Sequence, residues 1–250
     1  MYTLKKSLGQ HFLKDENICR KIVDALPAPE GTQILEVGPG AGAITKYLLE
    51  LPGTTFKAVE LDTEKVEYLQ KTYPAIQGKL INESFLEVAP PFEGKFSVIG
   101  NFPYNISTQI MFRVLEWKNQ VPVVVGMFQK EVAQRIAAPH NNKDYGILSV
   151  LIQAFYRVEY LFDVSENCFN PPPKVKSGVI RLHRLEEQYD IRNEKKFFLL
   201  VKTAFGQRRK QLRNPLKGLF KKEDLQDDIF TKRAEALTVA DFVALSHKML

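Results

Sequence analysis

A short apolar run that empties into a glycine-rich turn, followed by a second apolar run ending in a carboxylate, narrows the folds open to this chain more than any other feature. Residues 33–37, Gln-Ile-Leu-Glu-Val, read as a strand entering Gly38-Pro39-Gly40-Ala41-Gly42, with a helix pattern through Leu51. Glycines at such a turn let the backbone bend tightly and approach a ligand closely. A second strand, Phe56–Glu60, leads to a helix from about Asp62 to Lys71. The segment Gly78–Asn82 is a weaker third strand and Phe96–Asn101 a fourth. Residues 106–117 read as helix and Val121–Met127 as an apolar, β-branched strand. This alternation predicts an α/β fold, a parallel sheet with helices on both faces. Ile147–Tyr156 and Tyr160–Phe162 are apolar and fit either type, and Val179–Leu182 reads as a late strand closing the sheet antiparallel.

After about Leu185 the character changes. Residues 186–195 are polar, and short helices are expected over 194–205, 208–219 and 238–249, the last opened by a capping box of Thr238 and Asp241. Two domains are therefore expected, 1–185 and 186–250. Two cysteines, Cys19 and Cys168, give neither a disulfide framework nor a metal-spaced cluster, so a reducing cytoplasm and no metal are expected. The N-terminus lacks the apolar core of a signal peptide, and no apolar run is long enough to span a bilayer, so no membrane partner is expected. A formal net charge of +6 permits a nucleic-acid partner without requiring one.

Glu60, at the end of the second strand, can accept two hydrogen bonds from a ribose diol. The glycine loop alone leaves a nicotinamide dinucleotide and S-adenosylmethionine as comparable ligands, beside a merely tight strand–helix turn. The tetrapeptide Asn101-Phe102-Pro103-Tyr104, directly after the fourth strand, favours the methyl donor. An adenine N6 amine is a poor nucleophile because its lone pair is delocalised into the ring. The Asn101 side-chain oxygen and a backbone carbonyl near Phe102 can accept its two N–H hydrogens. Pro103 fixes φ and aims that carbonyl, and Tyr104 can stack on the base, worth ~1–3 kcal/mol. Such a base must be unstacked or flipped to enter the pocket. An isolated Asn-Phe-Pro-Tyr is also a plain β-turn; its place behind a buried strand of a glycine-loop domain argues against that.

These residues resemble the small-subunit ribosomal RNA adenine dimethyltransferases of the KsgA/RsmA type. The resemblance is carried by Lys6-Ser7-Leu8-Gly9-Gln10-His11-Phe12-Leu13, by Glu36–Thr45, by Gly100–Thr108, by Gln129–Arg135 and by Phe169-Asn170-Pro171-Pro172-Pro173-Lys174-Val175-Lys176-Ser177. It implies a Rossmann-like class I methyltransferase domain with a small C-terminal all-α domain. It implies that His11, Leu13, Gly38, Gly40, Glu60, Ser84 and Asn101 contact S-adenosylmethionine (product S-adenosylhomocysteine). It implies that Phe169 stacks on the base opposite Tyr104. The implied target is two adjacent adenosines near the 3′ end of 16S rRNA, each dimethylated at N6 within an assembling small subunit by a monomer. One departure stands out: where the family often has Asp after the third strand, this chain has Ser84, with Glu83 as the substitute if the register moves by one.

The rival inside the superfamily is the antibiotic-resistance methyltransferase acting on 23S rRNA, which shares the first motifs. Ala204–Asn214 and Arg233–Thr238 resemble the small-subunit enzymes instead. From other classes, a non-catalytic assembly factor and a nicotinamide-dependent enzyme remain open at this point. Residues 206–222 carry Arg208, Arg209, Lys210, Arg213, Lys217, Lys221 and Lys222 with no acidic residue. Arg208, Arg209, Lys210 and Arg213 are the expected RNA phosphate contacts, against the bland reading of a solvated helix face. The Lys5-Lys6 pair and Lys174 with Lys176 are candidate extensions of that patch.

Overall fold

The structure, a computed structural model, describes residues 11–250. The Lys5-Lys6 pair and the first five residues of the Lys6–Leu13 motif lie outside the described residues. In chain order the elements are β1 (Phe12–Leu13), α1 (Glu16–Asp24), β2 (Gln33–Val37), α2 (Thr45–Leu48), β3 (Thr55–Val59), α3 (Thr63–Thr72), β4 (Leu80–Ile81), β5 (Ser97–Asn101) and α4 (Ser107–Glu116). They continue as β6 (Val123–Gln129), α5 (Lys130–Ala137), α6 (Ile147–Gln153), β7 (Tyr156–Val164), β8 (Phe169–Asn170), β9 (Ser177–Arg184), α7 (Glu194–Gly206) and α8 (Val239–Ser246).

Seven strands form one sheet in the order β4-β3-β2-β5-β6-β9-β7. β4, β3, β2, β5 and β6 run parallel, and β9 closes antiparallel on β6. The chain runs outward from β2 through β3 to β4, then returns to lay β5 on the other side of β2. That reversal creates a crevice at the carboxyl ends of β2 and β5, the place where open α/β sheets bind ligands. β1 and β8 form a separate two-stranded ribbon pairing Phe12 with Asn170 and Leu13 with Phe169. Ile34, Phe56, Leu69, Ile99, Val125 and Met127 belong to one buried core cluster.

By internal packing the chain divides into two units. One takes the chain up to Ala133 together with Val158–Arg184; the other takes Gln134–Arg157 with Leu185–Leu250. The expected boundary near 185 is thus incomplete, because residues 134–157 join the second unit. They do so through hydrogen bonds: the Asn141 amide donates to the Glu235 carbonyl (2.7 Å) and the Leu185 amide to the Phe155 carbonyl (3.0 Å).

Two helix expectations fail for local reasons. The helix expected from Gly42 through Leu51 is only Thr45–Leu48, since the Glu50 and Leu51 amides bond three residues back, tightening the turn ahead of Pro52-Gly53. The helix expected over 208–219 is a run of turns. The Leu212 and Arg213 amides donate outward to the Lys232 and Phe230 carbonyls (2.9 and 3.0 Å) instead of four residues back, and Pro215 has no N–H to give. Leu212, Leu216 and Phe220 are nonetheless buried, so the helix-like spacing of apolar residues reported burial and not backbone form. The Thr238–Asp241 capping box opens α8 as expected.

Candidate active site

The loop after β2 supplies the floor of the crevice. Gly38, Gly40 and Gly42 all have positive φ, a conformation that side chains disfavour. At Gly42 a Cβ would also stand 2.4 Å from the Tyr73 ring, so no other residue fits there without moving that ring. The Glu60 carboxylate ties this loop to the end of β3: one oxygen accepts from the Gly40 amide (3.2 Å), the other from the Asp62 amide (3.0 Å). Asn82, after β4, donates to the Glu60 and Leu61 carbonyls (2.9 and 3.2 Å) and accepts from Thr63 (3.0 Å). Asn82 therefore fixes the turn that carries Glu60, a role that its place in a weak third strand did not signal.

The loop after β5 supplies the facing wall. Phe102 is buried, its amide donating to the Met127 carbonyl (3.1 Å) and its ring meeting Phe128 edge-on at 5.1 Å. Gly100 and Gly126 make room for that ring, since a Cβ on either would approach it to 2.7 or 2.5 Å. The Phe102 side chain is thus an anchor in the core, and only its backbone is available to the crevice. Among the described residues the Pro103 carbonyl accepts from the Ile106 amide and the Tyr104 carbonyl from the Ser107 hydroxyl (both 3.2 Å), while the Phe102 carbonyl accepts from nothing. The Asn101 amide nitrogen donates to the His11 carbonyl (3.5 Å), and the Asn101 oxygen is a second acceptor without a partner among the described residues.

His11, Leu13, Gly38, Gly40, Glu60, Ser84 and Asn101 line one crevice together with Pro103 and Tyr104. His11 is held by its Nδ1 against the Pro171 carbonyl (2.9 Å), with its ring 5.9 Å from that of Tyr104. Ser84 lines the crevice beside Glu83, and its hydroxyl accepts from the Leu86 amide (3.3 Å). Phe169 is 1% exposed, paired with Leu13 in the β1–β8 ribbon, and is not among the residues lining this crevice, so the structure does not bring it together with Tyr104 there.

Three crevice or near-crevice residues had no role in the sequence reading. Glu36 is buried in mid-strand, with Oε2 lacking a hydrogen-bond partner. Burial, reinforced by the Glu60 charge and opposed by the Thr45 hydroxyl, pushes its carboxyl up to about 8. A carboxylate between Leu35 and Val37 in a strand covered on both faces was the available signal. Lys65, on α3, is also buried on the crevice wall, its Nζ 5.9 Å from the Phe12 ring. Ser177 is fully buried at the start of β9 and shares a 2.5 Å hydrogen bond with the Tyr104 hydroxyl. Burial raises the Tyr104 phenol above its usual range, and the Ser177 hydrogen bond opposes that shift.

In the second unit the expected RNA contacts divide. Arg208 is engaged by Glu235 (2.9 Å) and the Asn142 carbonyl (3.2 Å), and Arg213 has its Nε buried. Arg209 and Lys210 are exposed.

The sheet order, the glycine loop and the Asn-Phe-Pro-Tyr wall across the switch point define a class I S-adenosylmethionine-dependent methyltransferase. Two solved structures share the fold: a dimethyladenosine transferase from Plasmodium falciparum (TM-score 0.83, 23% identity, 96% of this chain and 99% of that one) and the 23S rRNA methyltransferase ErmE (TM-score 0.75, 20%, 95% and 99%). The family model described as ribosomal RNA adenine dimethylase matches residues 1–248. The chain is 55% identical over 249 residues to ribosomal RNA small subunit methyltransferase A of Flavobacterium johnsoniae, covering 98% of this chain and 95% of the relative. It is 51% identical to the protein of that name from Cytophaga hutchinsonii, covering 98% and 96%. The chain belongs to the ribosomal RNA adenine dimethylase family.

Proposed function

We propose that this chain dimethylates N6 of two adjacent adenosines near the 3′ end of small-subunit ribosomal RNA, acting as a monomer on an assembling subunit in the cytoplasm. Family membership makes it an S-adenosylmethionine-dependent ribosomal RNA adenine dimethyltransferase, and its relatives carry the name small subunit methyltransferase A. The second unit of the fold is then the RNA- and ribosome-facing part. The crevice fits the methyl donor: the glycine loop puts no side chain of its own in the way, and buried Glu36 Oε2 has no hydrogen-bond partner among the described residues. Gly38, Gly40, Glu60, Ser84, His11 and Leu13 would hold the donor, which supplies an electrophilic methyl on a sulfonium.

The observation that carries this reading is a pair of acceptors unengaged among the described residues, the Asn101 oxygen and the Phe102 carbonyl, at the end of β5 beside the glycine loop. Two acceptors match the two N–H hydrogens of an adenine amine. Accepting both draws the nitrogen out of conjugation and directs its lone pair. Tyr104 holds the ring face. No general base is needed, because the proton leaves after the nitrogen has become cationic. Positioning and preorganised dipoles supply the rate.

Asn101→Ala is the test. Small subunits lacking N6-methylated adenosines, incubated with the variant and S-adenosylmethionine and mapped by mass spectrometry, are expected to show methylation slowed by about 100-fold or more. Methylation at the full rate would overturn the mechanism. Loss of methylation with subunit binding retained would match it.

A further inference from the structure

We propose that Ser177 is a positioning residue that acts through Tyr104, and that its hold is needed more for the second methyl transfer to each adenosine than for the first. The inference rests on the base-holding role proposed above for Asn101, Phe102 and Tyr104.

Tyr104 follows β5, whereas Ser177 opens β9, two strands away in the sheet and antiparallel to β6. The 2.5 Å bond between their hydroxyls therefore clamps the tip of the stacking ring to an element outside its own loop. The clamp has little slack. Ser177 pairs with Gln129, the next amide along, Lys130, donates to the Lys176 carbonyl (2.9 Å), and Ser177 is 0% exposed. Its neighbour Gly178 lies under the Tyr160 phenol so closely that a Cβ would meet the oxygen at 2.4 Å. Tyr160 and Lys130 in turn both bind Asp163 (2.5 Å each). Without the clamp, the Tyr104 ring is held at its base by the bond from the Ser107 hydroxyl to the Tyr104 carbonyl and flanked by the His11 ring at 5.9 Å.

The chemistry makes the two transfers unequal. Before the first, the N6 amine has two N–H groups and can use both acceptors. Before the second, it carries one methyl and one hydrogen, so a single acceptor holds it and the ring must be located mainly by its stacking wall. In that second step the N6 lone pair forms a new N–C bond as the methyl C–S bond breaks. Sulfur keeps the bond pair as a neutral thioether, and the last N6 proton goes to water. A wall free to tilt harms this step most.

The experiment uses the full chain with small subunits lacking N6-methylated adenosines. It follows monomethyl and dimethyl adenosine by mass spectrometry under single-turnover conditions for Ser177→Ala, Tyr104→Phe and the double variant. Tyr104→Phe keeps the ring and removes only the hydroxyl, so it serves if Ser177→Ala loses stability. The expected result is a second transfer slowed about tenfold and a first transfer slowed about threefold at most, the scale of removing one hydrogen bond. Monomethyl adenosine then accumulates, and the double variant is no slower than the slower single one, because both remove the same bond. Equal slowing of both transfers, additive effects in the double variant, or unchanged rates would each overturn the proposal. The Asn101→Ala measurement fails independently, so a fault in the base-holding reading is distinguishable from a fault in this one.

Discussion

At the scale of single residues the crevice is built from groups held in unfavourable states. Glu36 illustrates the cost. Its carboxyl stays protonated through neutral pH because burial penalises the charge, with Glu60 nearby adding to the penalty. The sign of the consequence follows from linkage. In the unfolded chain the group ionises near its ordinary value of 4.5, in the folded protein only near 8. Between those values the folded state binds the extra proton, so stability falls as pH rises. Glu36→Gln keeps the size and a neutral side chain and removes the titration. We expect the melting temperature of the parent, relative to Glu36→Gln, to decline between pH 5 and pH 8.5, each kcal/mol shifting it by about 2–4 °C. A parallel pH dependence for the two proteins would show that Glu36 is ionised in the fold.

At the scale of elements, the Asn101–Tyr104 loop is placed by the packing of β5 against β6. Phe102 is the pin, and Gly100 and Gly126 are the space it occupies. Gly126→Ala would drive a Cβ to 2.5 Å from the Phe102 ring and 2.6 Å from Phe128. Overpacking of this kind costs about 1–3 kcal/mol. The strain is relieved most easily by moving Phe102, and with it Asn101 and Tyr104. Thermal melting should show a loss of several degrees, and methylation at a temperature well below melting should fall by more than tenfold. Gly218→Ala, where nothing lies within 4 Å, is the control and should leave both unchanged. The same packing explains which parts of the site were legible in the sequence. The glycine turn, Glu60 and the Asn101–Tyr104 loop were readable because their meaning lies in contiguous residues at strand ends. The burial of Phe169 in the β1–β8 ribbon was not, since that pairing joins residues distant along the chain. Ser177, Lys65 and Asn82 gain their contacts from residues distant along the chain, which no local pattern encodes.

At the scale of the whole molecule, a net charge of +6 suits a polyanionic substrate, but the fold gives the individual cations of one run different surroundings. The run 206–222 looked uniform in sequence. Folding divides it, because the turns that replace the expected helix direct side chains individually. Arg208, at 36% side-chain exposure, is committed to Glu235 and the Asn142 carbonyl. Those bonds tie together parts of the second unit distant in sequence, residues 142, 208 and 235. Arg209 and Lys210 are exposed and open to phosphates. Different effects are therefore expected on substitution. Arg208→Ala should lower melting temperature, since a half-buried carbonyl and a carboxylate are left without their partner, at a cost of about 1–3 kcal/mol. It should leave the salt dependence of subunit binding close to that of the parent. Arg209→Ala with Lys210→Ala should leave melting unchanged and weaken binding to RNA of any sequence. Removing one cation from a phosphate should flatten the slope of log affinity against log salt by roughly 0.7–0.9. Binding titrations from low to moderate salt, run beside melting curves, read both quantities on the same proteins. An Arg208 variant with normal melting and a flattened salt slope would return that residue to the RNA surface where its sequence neighbours first suggested it belongs.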